Sequence, residues 1–381
     1  MRSGPLGTRT YLSRNAGKTV PLVAVIMLAA MLICSIVALM NSIPLSIRTI
    51  YRYTEESLVV GPRGDPTQTP RIVQKLNEEA PVKLDRIILC RVVSTVVHSI
   101  VGKWPFTVVG LEKDDMMYIL KRQGITSWSG RLPDDGAAEA VISEPVARNL
   151  NLKIGSTLLG PDKDDGYSPH NVKVVGILHS DRWMMFTDVE YVRENHFPPL
   201  DVVLAFAPDL KQQHKLDLWA DKAFKGDRAG VFTYEQLDRD TTQMFHILYK
   251  ILDAVVAILV MVITIMMGML INIHQSQRIV EFGLLQALGY TKKQLIYRVI
   301  GETTAVMALG WIFGLMASYV LLNILKRILM DPNAFALDVF DRMAYAYTIP
   351  IPFAILLVAI ATVKQRFKRF DPVSVVERRL V

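Results

Sequence analysis

The chain has 381 residues, 51% of them apolar, and a formal net charge of +7. An ordinary soluble domain is less apolar, and this chain also has long polar stretches, so its apolar residues must be gathered into a few segments. Two cysteines in the whole chain exclude a disulfide scaffold.

Residues 1–19 carry Arg2, Arg9, Arg14 and Lys18 and no acid. The run 20–40 that follows has no charge and is long enough to cross a bilayer. It exceeds the apolar part of a signal peptide, and no small-x-small cleavage site follows it. A retained first span is therefore expected at 20–45.

Residues 46–245 are expected to form a large α+β extracytoplasmic domain, inserted between the first and second of four transmembrane α-helices. At about 200 residues it can bury a core of its own. Segments 57–60, 86–97 and 106–111 are rich in Val and Ile and read as strands, and 113–122 reads as a helix. A strand at 140–143 runs into a helix at 144–150, with Ser143 placed to cap it and Pro145 in its first turn. Gly155 and Ser156 make a turn, and 171–178 is a further strand containing Gly176. Segments 61–70 and 161–170 are polar loops. From 180 to 245 the pattern weakens and predicts only a helix or two.

This domain shows no pattern of an enzyme site. His98, His170, His179, His196 and His214 lack the i, i+4 or HExxH spacing of metal ligands. Asp162, Asp164 and Asp165 lack the glutamate that closes a calcium loop and read as a solvated loop. No serine sits in a GxSxG elbow. A binding or partner-docking module is expected. Cys34 falls in the first span and Cys90 in this domain, so the two are not expected to pair.

Three further spans are expected. The span 246–273 is broken by Asp253 and Asn272, 297–326 has Glu302 near its start, and 344–364 is marked by Pro350 and Pro352. Prolines are tolerated in a membrane helix where neighbours satisfy the freed carbonyls. The connections are 274–296, 327–343 and the tail 365–381. Over 274–298, Arg278, Lys292, Lys293 and Arg298 face only Glu281. The tail and its approach hold Lys364, Arg366, Lys368, Arg369, Arg378 and Arg379 against Asp371 and Glu377, and 326–343 is balanced. Lys and Arg mark cytoplasmic ends, which puts both termini and 274–296 in the cytoplasm. Residues 46–249 then lie outside, with 25 Lys and Arg against 28 Asp and Glu. The positive balance thus follows membrane topology, and nucleic-acid binding is not needed to explain it.

Gly310, Gly314 and Ser318 form a stripe of small residues on the third span, suited to close helix approach either within one bundle or between two copies of the chain. In 274–298, Ile279, Phe282, Leu285 and Leu288 are expected to share an apolar face, Gly289 suits a C-cap at positive φ, and Thr291 with Gln294 makes a capping box. The result is helix, sharp turn, helix at the interface; the plainer alternative is an ordinary amphipathic interface helix. Asp371 and Pro372 read as N-cap and first position of a short tail helix at 373–379. Asp253 and Glu302, ionisable but near an interface, can snorkel and are not read as a proton path.

The stretch RIVEFGLLQALGYTKKQ at 278–294 resembles the RRxEIAxLRALGATRRQI stretch of FtsX/MacB-type ABC transporter permeases. Glu302 falls where that family often has a glutamate, and FDPV at 370–373 matches its xDPxxALR ending. Gly130, Arg131, Leu132, Pro133, Glu139, Ser143, Ala147, Leu150, Gly155 and Gly176 are similar to the MacB-type periplasmic core domain. Tyr290 departs from a usual small residue and Gln286 from a usual basic one. The resemblance implies a dimer of permeases in the cell inner membrane, working with a cytoplasmic ABC ATPase and, in some systems, a periplasmic adaptor. Arg278, Glu281, Phe282, Leu285, Leu288, Gly289 and Lys292 would couple to the ATPase, Gly310, Gly314 and Ser318 would pack helices, and Asp371 and Pro372 would dock the tail. The chain has no GxxxxGK[ST] phosphate loop, so no cofactor is expected on it; ATP and Mg belong on the partner. The implied function is export of an amphipathic substrate such as a peptide, drug, lipid or lipoprotein. Regulation of a cell-wall hydrolase is the alternative. A membrane receptor with an outer sensor domain is a third reading, against which the segment between the second and third spans argues.

Overall fold

The computed structural model describes residues 16–196 and 200–368. Helix α1 (Ala16–Ile50) leads through a 3-10 turn (Arg52–Glu56) to strand β1 (Leu58–Gly61). The order continues α2 (Gln68–Glu79), β2 (Arg86–Ser99), β3 (Gly102–Leu111), α3 (Lys113–Arg122), β4 (Trp128–Gly130), β5 (Glu139–Ser143), α4 (Glu144–Asn149), β6 (Thr157–Leu159), β7 (Val172–Leu178), β8 (Met185–Asp188), α5 (Val189–Asn195), β9 (Asp201–Phe206), α6 (Leu210–Ala223) and β10 (Gly230–Phe232). Then come α7 (Tyr234–Gln277), α8 (Ile279–Ala287), α9 (Lys292–Leu325), a π turn (Lys326–Met330), a 3-10 turn (Asp331–Asn333), α10 (Arg342–Ala346) and α11 (Pro350–Lys368). The chain divides into two compact units.

Residues 42–246 and 327–337 make one unit. Its mixed sheet runs β10-β1-β9-β2-β3-β8-β5-β7-β4, with β6 paired to β7. The pairs β3–β8 and β5–β7 are parallel and the rest antiparallel. Side chains alternate across a strand, and this sheet buries both faces. Val93 and Val97 of β2, with Phe106 and Val108 of β3, enter a core with Val146 of α4 and Val192 of α5. Ile88 and Cys90 enter the opposite core, closed by Met116, Ile119 and Leu120 of α3. A third core joins β1 and β9 to Leu76 of α2 and Leu216 of α6. Burial pushes the Cys90 thiol up to about 12.

Several boundaries differ from the sequence reading. Strand β3 starts at Gly102 and runs through Pro105. Its partner β8 meets it only at Val109–Leu111, so Pro105 stands where that side of the strand is unpaired and a missing N–H breaks no ladder bond. Ser143 occupies the N-cap of α4 without capping it; its Oγ accepts from Met184 N at 3.0 Å instead. The weakly patterned stretch holds β8, α5, β9, α6 and β10, with Asp188 and Asp209 as side-chain caps.

The other unit contains residues 16–41, 247–326 and 338–368. Among the described residues, four helices are long and apolar enough to cross a membrane: Thr19–Ile50, Tyr234–Gln277, Lys292–Asn333 and Arg342–Lys368. Helix α7 starts well before the expected 246. In the last span, α11 begins at Pro350, so both prolines stand in the first turn, where no intrahelical donor is lost.

Candidate functional site

Helix α7 ends at Gln277, and Arg278 leaves helical geometry with φ −101° and ψ 7°. The Arg278 side chain turns to two carboxylates. Its Nη1 donates to Glu302 Oε2 at 2.6 Å, and its Nε and Nη2 donate to Glu281 Oε2 and Oε1 at 2.8 and 3.0 Å. Arg298, one turn before Glu302 on α9, donates from Nε to Glu302 Oε1 at 3.0 Å and approaches Glu281 at 3.9 Å. The side chains of Arg278 and Glu302 are only 7% and 4% exposed. Buried charges of this kind persist only when paired and hydrogen-bonded, and here two arginines meet two glutamates. The bonds from Arg278 hold the Glu281 carboxyl below its usual range.

Beside this cluster, α8 buries an apolar face. Phe282 and Leu285 pack with Leu295 and Val299 of α9 and Val363 and Phe367 of α11, and Ile279 is partly buried there. The Phe282 and Phe367 rings lie 5.4 Å apart. Arg366 of α11 donates to the Asn272 carbonyl at 2.8 Å and to Ser276 Oγ at 2.5 Å on α7. The short helix is thus fastened to α9 and α11, and α11 in turn to α7.

Leu288 departs from the expected face and is 77% exposed. A 3.6-residue period assumes the helix continues, whereas α8 stops with Leu288 as its C-cap. Gly289 follows at φ +94° with open space where a Cβ would stand, so backbone conformation alone calls for glycine. The capping box is formed: Gln294 N donates to Thr291 Oγ1 and Thr291 N to Gln294 Oε1. Leu284, Leu288, Tyr290 and Tyr297 are exposed around this turn, next to exposed Lys292 and Lys293.

Gly310, Gly314 and Ser318 face α1 of the same chain. A Cβ on Gly310 would stand 2.8 Å from Ile26 Cβ, and one on Gly314 2.7 Å from Ala30 Cβ. Ser318 Oγ lies 3.1 Å from Ser35 Oγ. Asp253 accepts from Tyr347 Oη at 2.5 Å. Asp371, Pro372 and the expected tail helix lie outside the described residues.

In the sheet unit, His214 pairs with Glu235 and His196 contacts Ser168. Ser129 Oγ, His179 and Glu144 form a hydrogen-bonded chain, at 3.0 Å and 2.5 Å. Ser129 lies on edge strand β4, His179 in the loop after β7 and Glu144 at the start of α4, with the His179 and Glu144 side chains 43% and 45% exposed, which makes it a surface network without a closed reaction site. Among the described residues no group of three or more His, Cys, Asp or Glu could hold a metal ion. Lys103 pairs with Asp165 of the polar loop.

The sequence reading missed Arg298 and Glu302 as members of the site. The i, i+4 spacing of Arg298 and Glu302 was visible, but the partnership of Glu302 with Arg278, across a turn, needed the fold.

Residues 253–369 match the family described as FtsX-like permease C-terminal, so the family likeness first read at 278–294 is found again over the last three spans. No curated protein matches the chain. Among solved structures, the chain is similar to the periplasmic region of MacB from Actinobacillus actinomycetemcomitans, with 11% identity over 50% of this chain and 94% of that one and a TM-score of 0.28. It is also similar to the extracellular domain of the noncanonic ABC-type transporter YknZ from Gram-positive bacteria, with 13% identity over 46% of this chain and 100% of that one and a TM-score of 0.27.

Proposed function

We propose that this chain, which carries an FtsX-like permease C-terminal segment, is the permease subunit of an ABC transporter exporting an amphipathic substrate. In this reading it sits in the cell inner membrane as a dimer with both termini in the cytoplasm. A separate ATPase subunit binds ATP and Mg. Closure of the ATPases displaces the turn at 278–294, and the attached helices carry that displacement to the sheet domain outside. A periplasmic adaptor receives the substrate where an outer membrane is present.

The observation that carries the proposal is the construction of that turn. One side of α8 is fixed by Phe282, Leu285 and the Arg278–Glu302 pair, and the other leaves Leu284 exposed, continued by exposed Leu288 at the C-cap and Lys293 at the start of α9. A helix built to transmit force needs both: a rigid attachment to the spans and a free face for the partner. Exposed apolar side chains rimmed by charge are a common mark of a protein interface.

Leu288→Asp tests this, because it alters the free face and leaves the buried one intact. The variant is expected to insert normally yet lose at least tenfold in transport-coupled ATP hydrolysis. Gly289→Pro is expected to do the same, since proline cannot adopt the φ of +94° seen there. Wild-type coupling in Leu288→Asp would refute the docking role.

A further inference from the structure

Gln275 sits one turn from the end of α7, 2% exposed, and both its amide oxygen and its amide nitrogen lack a hydrogen-bond partner. Leaving both ends of a buried amide unmade costs the full desolvation penalty of each group. A native site rarely accepts that penalty without an unseen partner. The side chain lines a cavity of about 30 Å³ among α1, α7 and α9, whose wall also includes Arg278 and Glu302 and, on the apolar side, Met267 and Met307. At roughly 10–15 Å³ for each water, such a cavity holds about two.

The charges of the wall decide the chemistry of the occupant. Both oxygens of Glu302 already accept from arginine, and the four-membered cluster is balanced, so neither a cation nor an anion is called for. What is missing is a small neutral group that can both donate and accept. Gln275 presents one donor group and one acceptor to the cavity, and water satisfies both at once. A hydrocarbon chain of lipid would fill the space and leave the amide unpaired.

We propose that this cavity is a hydration site in which about two ordered waters bridge the Gln275 amide to the Arg278–Glu302 pair. The waters lie where α7 breaks, beside Arg278, whose N–H bonds back to the Gln275 carbonyl at 3.1 Å. Water at a helix break replaces ladder bonds that the bend removes. The joint between span and turn is therefore wet, with Arg278 bonded to Glu302 and Glu281 at once. This holds whatever partner docks on the turn.

The cavity carries its own reporters. Hydroxyl radicals generated by X-ray radiolysis from bound water oxidise methionine next to it, so the full chain in lipid nanodiscs can be irradiated and its methionine sulfoxides quantified by mass spectrometry. Met267 and Met307 are 1% and 2% exposed, as are Met185 and Met116 in the sheet unit. The expected result is labelling of Met267 and Met307 at least fivefold faster than Met116 and Met185. Gln275→Met, which fills the site with an apolar side chain of similar length, should remove that excess and leave the sheet methionines unchanged. Equal, slow labelling of all four in the wild type would overturn the proposal, and this comparison needs no variant to fold. An excess that survives in a well-folded Gln275→Met would overturn it as well.

Discussion

Glu302 carries more of the turn than its place at the start of an apolar run suggests. With both oxygens engaged by arginines and 4% exposure, it is the counter-charge that lets Arg278 be buried. Glu302→Ala leaves two arginines facing one partly exposed carboxylate. A loss of about 3–5 kcal/mol is expected from breaking a buried pair on one side, measured as denaturant unfolding of the detergent-solubilised chain; a loss under 1 kcal/mol would show that the cluster is solvated. Asp217 gives a prediction in pH. It is 5% exposed in α6 and accepts from Gln213 at 3.0 Å; burial, helped by the nearby Glu235 and Asp221 charges, raises its carboxyl to about 7. The unfolded chain ionises this group near 4. As pH rises from 4 to 7 the unfolded state therefore loses its proton first, and native stability falls by linkage until the folded state has also ionised. Asp217→Asn removes that penalty. The variant should melt several degrees higher than wild type at pH 8, with the gap closing toward pH 4. A gap independent of pH would contradict the assignment.

Between elements, close approach of α9 to α1 rests on small side chains. A Cβ on Gly314 would meet Ala30 Cβ at 2.7 Å and the Met27 carbonyl at 2.8 Å, while nothing lies within 4 Å of one on Gly301. Gly314→Leu should lower thermal stability by an amount typical of overpacking, about 1–3 kcal/mol, and Gly301→Ala should not lower it; equal effects would remove the packing role. How legible each element was depended on the range of its cause. Thr291, Gln294 and Gly289 act within one turn of backbone, and their capping and positive φ follow from residue type. The spans follow from runs of apolar residues. Ser143 also reads as a local cap, but β8 brings Met184 N to it from 41 residues away, and that pairing outcompetes the cap. Strands β8, β9 and β10 are short, and α6 mixes buried Gln213 and Asp217 with its apolar positions, so neither period stands out. Leu288 kept the helical period but not the helix.

For the whole molecule, charge is unevenly spread along the chain. Basic residues gather at the ends of the apolar helices, while 46–249 is slightly acidic. In the proposed reading this fixes which side faces the cytoplasm and sets the turn at 278–294 on the same side as the termini. A labelling experiment follows directly: cysteine introduced at Lys293 should react with an impermeant maleimide only after the membrane is opened from the cytoplasmic side, and cysteine at Asp164 without opening it. The opposite pattern would invert the topology. The central claim, that an ATPase grips this turn, is tested most directly by purifying the tagged chain gently from its native membrane and identifying what accompanies it by mass spectrometry. The account predicts a near-stoichiometric soluble ATPase bearing a phosphate loop, lost when Leu288 is replaced by Asp. An intact chain recovered without any ATPase would contradict it.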